Sequence, residues 1–178
     1  DYPLFFDREG LYGLAGQDHE DNERRFALFS RAVLEGAKAV GFKPDVIHLH
    51  DWQTGLIAAH LKRHYARDAH FARTGCVFTI HNMAYQGNFP RAALEIAGFG
   101  AADWTSDGLE YYGHVSYLKA GLVYADRLTT VSPSYAREIC ESPDRGFGME
   151  GLLSRRRTHL RGVLNGIEKL VKGLSIPV

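Results

Sequence analysis

The sequence has no excess of charge of either sign, since 21 lysines and arginines balance 21 aspartates and glutamates. A zero balance removes the long-range field that draws a protein onto nucleic acid or an anionic membrane surface. Cysteine is scarce, and Cys76 and Cys140 lie isolated in segments of different type. Two such thiols make neither a disulfide framework nor a zinc-binding spacing, which points to a reducing cytoplasm. No stretch approaches the roughly 20 consecutive apolar residues of a membrane-spanning helix. No signal peptide is expected within these first residues, where Asp1, Asp7, Arg8 and Glu9 interrupt any apolar run. There is no GxGxxG turn, no Walker phosphate loop and no serine nucleophile elbow, because Ser132 is followed by Pro133 as at a helix entry. The chain also opens on DYPLFF without a methionine. The expectation is a sequence entered partway.

What is present suits one globular domain. Of 178 residues, 45% are hydrophobic and 24% charged, enough for a sizeable core. Residues 1–21 show no sustained period and are expected to form a loop. Phe26, Phe29, Val33, Ala37 and Val40 then recur near 3.6, predicting a helix over 21–40 with Asp21 or Asn22 as cap and Gly41 as stop. Pro44 introduces the strand DVIHLH (45–50), followed by a helix over 55–65 and the strand CVFTIH (76–81). An irregular stretch over 83–113 carries a short helix at 91–97, and a further helix spans 116–125. RLTTVS (127–132) is a third strand, and Ser132 and Pro133 open the next helix. A helix over 150–158, whose Arg155, Arg156 and Arg157 make a solvated face, precedes a fourth strand in GVLNGI (162–167). Strands alternating with helices predict an α/β fold with a doubly wound, Rossmann-like parallel sheet.

In such sheets ligands bind outside the carboxyl ends of the strands. The first strand ends in His48, His50, Asp51 and Trp52, the second in His81 and Asn82, the third in Ser132, the fourth in Asn165 and Gly166. Imidazole, carboxylate and carboxamides on one rim suit a polyhydroxylated ligand, with Trp52 and Tyr85 available to stack on a sugar face. His48 and His50 are two apart on a strand, as an HxH metal pair would be. Barrel enzymes built on that pair need about 250 residues and further ligands from later strands. His48 is therefore expected to be satisfied within the fold, and no metal site is expected. For His81 two readings stand: an imidazole bonding a loop carbonyl, or an uncharged imidazole donating a hydrogen bond beside a reacting carbon.

The segments DREGLYG, DNERRFALFSRAVLE, PDVIHLHDWQTGL, FTIHNMAYQG, SYLKAGLVYADRLTTVSPSYAREI, GMEGLL and GVLNGI occur in an order that resembles the N-terminal catalytic domain of bacterial glycogen synthases and plant starch synthases. The resemblance covers residues 1–168, leaving 169–178 as a divergent tail. It implies the N-terminal half of a GT-B fold, truncated at both ends, from a retaining enzyme that moves glucose from ADP-glucose to the non-reducing end of an α-1,4-glucan. It implies no metal and no cofactor. His81 would meet the transferring glucose and Asp51 would lie at the catalytic cleft. Trp52, Asn82 and Tyr85 would face the acceptor, and Asn165 the donor sugar. The family's KxGGL-type loop and its C-terminal domain, which hold the donor diphosphate, are absent from these residues. Electrostatic stabilisation of that leaving group is usually the largest catalytic contribution, so the chain is expected to be inactive alone. The alternative is a non-catalytic glucan-binding or regulatory remnant of the same fold. The implied compartment is the bacterial cytoplasm, or a plastid for a plant source.

Overall fold

A computed structural model of the chain describes residues 2–165. A short helix α1 (Pro3–Phe6) and a hairpin of β1 (Gly13–Leu14) and β2 (Gln17–Asp18) precede the long helix α2 (Asn22–Ala39). Strand β3 (Val46–His50) leads directly into α3 (Asp51–Arg63), then β4 (Gly75–Ile80). The stretch that follows holds β5 (Asn88–Pro90), α4 (Ala93–Ile96), β6 (Glu110–Tyr111) and β7 (His114–Ser116). Helix α5 (Tyr117–Tyr124), β8 (Arg127–Thr130), α6 (Pro133–Glu141), α7 (Pro143–Gly146), α8 (Glu150–Arg155) and β9 (Leu160–Gly162) complete it.

The central sheet runs β3-β4-β8-β9 with every pair parallel. Register aligns Leu49, Phe78, Leu128 and Leu160 in one row, and all four are buried. The alternate rows carry His48, Val77 and Arg127, then His50, Thr79, Thr129 and Arg161. Strand period two therefore makes one apolar and one largely polar face. The strands follow one another across the sheet in chain order. Val46, His50, Arg127 and Arg161 on the opposite rows are exposed among the described residues.

Two glycines set how closely the helices pack. A Cβ on Gly55 of α3 would lie 1.9 Å from the Tyr117 carbonyl oxygen, so α3 and α5 meet backbone to backbone. A Cβ on Gly121 of α5 would lie 2.3 Å from the Phe78 ring, which fixes α5 on the sheet. The helix ends are satisfied locally. Gly41 donates to Lys38 O and Phe42 to Ala37 O, a Schellman stop with Gly41 at positive φ. Ser116 and Ser132 accept from the Lys119 and Tyr135 amides at the starts of α5 and α6. The Arg156 guanidinium donates to the carbonyls of Leu122, Val123 and Ala125, capping α5 at its carboxyl end.

Three expectations are corrected. Residues 1–21 are not only loop: Arg25, buried, donates to Phe5 O, Leu11 O and Asn22 Oδ1 and so fastens α1 and the hairpin onto α2. The 83–113 stretch contributes a three-stranded antiparallel sheet, β5-β7-β6. Both hairpins turn through two residues at positive φ, Ala15–Gly16 and Tyr112–Gly113, without the Asn-Gly signature that marks such turns. The fourth strand is Leu160–Gly162 rather than 162–167, and Gly166, Ile167 and the tail 169–178 lie outside the described residues.

His60 of α3 is fully buried, stacked on Phe99 at 4.8 Å, with its Nδ1 2.8 Å from His64 Nδ1. Burial, with the nearby His64 and Arg31 charges, pushes its pKa from 6.5 down to about 3. The neutral ring contributes its full stability above pH 6.5. That contribution is lost as pH falls toward 3, because the unfolded chain takes up a proton the folded one refuses. The expected slope is about 1.4 kcal/mol per pH unit across that window. His60→Leu should flatten the slope in urea titrations at stepped pH, and an unchanged slope would refute the assignment. Gly55→Ala should lower unfolding free energy by about 3 kcal/mol, through overpacking against Tyr117.

Candidate functional site

Parallel pairing of β3 with β4 sets His50 opposite Thr79, so the chain leaves the two strands side by side. Asp51 follows β3 at once and His81 follows β4 at once. The Asp51 Oδ1 accepts the backbone N–H of His81 at 2.8 Å and ties the two strand ends together. To do so Asp51 adopts φ +54°, a left-handed conformation that aspartate tolerates better than most residues. The sharp turn starts α3 at Asp51 instead of the expected position 55, and Thr54 Oγ1 accepts the His50 N–H inside it.

The His81 imidazole is exposed, and its Nε2 lies 3.0 Å from His50 Nδ1. Its partner is thus another ring and not a loop carbonyl. The His50 ring in turn lies 4.3 Å from that of His48, whose Nε2 is 2.6 Å from Thr79 Oγ1. Thr79 Oγ1 is 2.5 Å from Thr129 Oγ1. Burial lowers the His50 pKa, the His48 and His81 charges add to this, and Asp51 opposes it. His48 is exposed on the sheet face, not in the core, and its hydrogen bond to Thr79 satisfies it within the sheet.

Two cavities meet at Asp51. One of about 650 Å³ is lined by Asp51, Trp52, Asn82, Tyr85, Gln86 and Asn88 among others. The second, of about 480 Å³, is bordered by His50, Asp51, His81 and the rings of Phe6, Phe26 and Phe29. Tyr12 and Gln53 line both, with Asp51 on the ridge between them. In the larger cavity Tyr85 is 66% exposed and its ring is free to stack. Asn82 Oδ1 accepts the Ala84 N–H, which fixes the side chain at the turn.

Trp52 differs from the expectation of a sugar-facing platform. Its indole is 7% exposed, with Phe26 edge-on at 4.7 Å and Phe89 at 5.7 Å. A Cβ on Gly87 would lie 2.5 Å from the indole, so the turn closes directly over it. Trp52 is the floor of the cavity. Asn165 stands apart: it is exposed beyond β9 and lines neither cavity.

Tyr12, Asp18, Gln86 and Asn88 join the site without having been singled out in the sequence. Gln86 Nε2 donates to Phe147 O at 3.1 Å and Gln86 Oε1 accepts from Asn88 Nδ2 at 2.9 Å, making a fixed polar wall. Tyr12 is held through its carbonyl, which accepts from Asn22 Nδ2 and the His19 amide. The YQGN spacing, with alternate polar residues facing one side, was the available signal for Gln86 and Asn88.

The starch synthase catalytic domain family matches residues 1–155. The chain is 52% identical over 164 residues to a glycogen synthase of Elusimicrobium minutum, covering 92% of this chain and 34% of that one. It is 51% identical over 164 residues to glycogen synthase 2 of Geobacter sulfurreducens, with coverage of 92% and 34%. The chain thus spans about a third of the length of the curated relatives it matches. Among solved structures it is similar to the catalytic domain of starch synthase IV from Arabidopsis thaliana bound to ADP and acarbose. That match has TM-score 0.82 and 33% identity, covering 93% of this chain and 33% of that one.

The Asp51 tie can be tested on stability. Asp51→Asn keeps an oxygen acceptor and the tolerance of positive φ, so urea unfolding should shift by less than about 0.5 kcal/mol. Asp51→Ala loses the acceptor and keeps the strained φ, and about 2 kcal/mol should be lost. Equal effects of the two would show that the carboxylate does not hold the turn.

Proposed function

The chain belongs to the starch synthase catalytic domain family, and from that premise we propose that it is part of a retaining glucosyltransferase of glycogen or starch synthesis. The donor is ADP-glucose and the acceptor is the non-reducing end of an α-1,4-glucan. The observation that carries this reading is the Asp51–His81 junction at the meeting of two cavities, with His81 bordering the one of about 480 Å³ and Asp51 lining both that one and the one of about 650 Å³. The ADP and acarbose of the Arabidopsis starch synthase structure support the same ligand pair here. The cytoplasm is the compartment proposed for the reaction.

The assigned roles follow from chemistry. Breaking the glycosidic bond to a diphosphate leaves positive charge on the ring carbon and oxygen of glucose, and an uncharged donor beside the sugar orients it without opposing that charge. His81 supplies such a group, and the Asp51 bond to its amide holds its backbone in place. Tyr85 offers a ring face to the acceptor, while Asn82, Gln86 and Asn88 offer carboxamides to its hydroxyls. Trp52 supports these residues from below. Asn165 is assigned to the donor sugar on its LNG segment alone. The groups that would neutralise the diphosphate belong to the other two thirds of the relatives' length.

The test is ADP release from ADP-glucose with glycogen, using a polypeptide that joins this chain to those remaining parts. His81→Ala should lower turnover by about 10²- to 10³-fold, and near-normal turnover would overturn its role. The 178-residue chain alone should release no ADP. Glucan binding by the joined polypeptide without any ADP release would favour the non-catalytic reading instead.

A further inference from the structure

We propose that His50 is the positioning residue for His81: it donates from Nδ1 to His81 Nε2 and so holds His81 as the tautomer protonated on Nδ1, with that proton offered to the ligand. The inference rests on the proposed role of His81 at the donor sugar and gives that role its hydrogen-bonding sense.

Two imidazole nitrogens 3.0 Å apart form a hydrogen bond only when one carries a proton and the other does not. The contact consumes His81 Nε2, so Nδ1 is the nitrogen left for a ligand. If His81 were the donor, its Nδ1 would be a bare acceptor, and a sugar hydroxyl could only give it a proton. If His50 is the donor, His81 Nδ1 carries a proton and can donate. Only the second arrangement fits a group that donates to the sugar.

The fold prepares His50 for this. His48 and His50 are alternate residues of β3 and share a face, which brings their rings to 4.3 Å. His48 is anchored through Nε2 to Thr79 on β4, and Thr79 to Thr129 on β8. A chain of side chains thus crosses three strands and ends at the rim. The charged or titratable groups facing His50 are His48 on its own strand, His81 after β4 and Asp51 at the head of α3. Arg25 of α2 borders the same cavity, but its guanidinium is bonded to Phe5 O, Leu11 O and Asn22 Oδ1. Partial desolvation, with His48 and His81 beside it, lowers the His50 pKa and so favours the neutral ring, which has the single proton the contact requires.

The direct measurement is the protonation of each histidine nitrogen, read by NMR on the isotope-labelled 178-residue chain at neutral pH. The expected spectrum has His81 protonated on Nδ1 and bare on Nε2. A His81 protonated on Nε2 in the unmodified chain would overturn the proposal, and this result needs no variant to fold. In His50→Phe, which cannot donate, His81 should revert to the Nε2-protonated form that free imidazole side chains favour. In His50→Asn the amide group can stand in for Nδ1–H, and the original tautomer should return. An unchanged His81 in a folded His50→Phe would also refute the role. In the joined polypeptide, His50→Phe should lower kcat roughly 10- to 100-fold with little change in KM for glucan, and His50→Asn should recover most of it. Should the unmodified joined polypeptide release no ADP, the glucosyltransfer reading fails while the tautomer result stands or falls separately.

Discussion

The hydrogen bond from the His81 amide to the Asp51 carboxylate closes the gap between two parallel strands at the point where both end. Pairing of β3 with β4 already fixes their register, but ladder bonds stop at His50 and Thr79. Without a further tie, each chain would leave the sheet on its own path. Asp51 supplies the tie from the first residue of a helix, at a positive φ that makes the strand-to-helix turn as short as it is. A left-handed residue there costs about 1–2 kcal/mol for most side chains. Aspartate lowers the cost and returns a charge-assisted hydrogen bond of comparable size. The strain is therefore local and offset locally, and it places His81, Asn82 and Tyr85 on the cavity side.

The same economy of space explains Trp52. Helix α3 can lie against α5 at backbone distance because Gly55 carries no side chain, and α5 lies close on the sheet because Gly121 carries none. That draws the start of α3 inward, and the indole of its second residue enters the core between Phe26 and Phe89. Burying a large aromatic side chain is worth about 2–3 kcal/mol, which favours the core over an exposed position. Burial wins for Trp52, and Tyr85 is the ring left exposed at the cavity. The approach of Gly87 to the indole then joins floor and wall, so the larger cavity inherits the rigidity of the core beneath it.

Much of this was legible in the residues, for reasons that can be named. The long period of α2, its Gly41 stop and the Ser132–Pro133 helix entry were read correctly because each depends on local chemistry. The parallel sheet was legible because apolar strands ending in polar residues have few other uses. The hairpins at Ala15–Gly16 and Tyr112–Gly113 were not, since strands of two or three residues cannot display a period and neither turn uses asparagine. At the site, Asp51, His81, Asn82 and Tyr85 were brought together by one rule about strand ends. Tyr12 and Gln86 were missed because their place depends on partners far away in sequence, Asn22 for one and Phe147 for the other. Asn165 obeyed the strand-end rule on paper, but β9 ends at Gly162 and the residue lies beyond the rim.

Phe147 shows how far the site reaches into the rest of the chain. It sits at φ +49°, unfavourable for an aromatic residue, and its carbonyl accepts from both Gln86 and Tyr111. Those two donors come from either end of the antiparallel sheet segment, Gln86 just before β5 and Tyr111 in β6. The turn thus braces the Gln86 wall of the cavity from outside, as Trp52 braces its floor from within. Strain at Asp51 and at Phe147 is held by hydrogen bonds to neighbouring loops in each case. The polar groups of the cavity are therefore fixed by backbone turns more than by their own packing, and exposed side chains such as Asn82 and Tyr85 can keep their free atoms for a ligand.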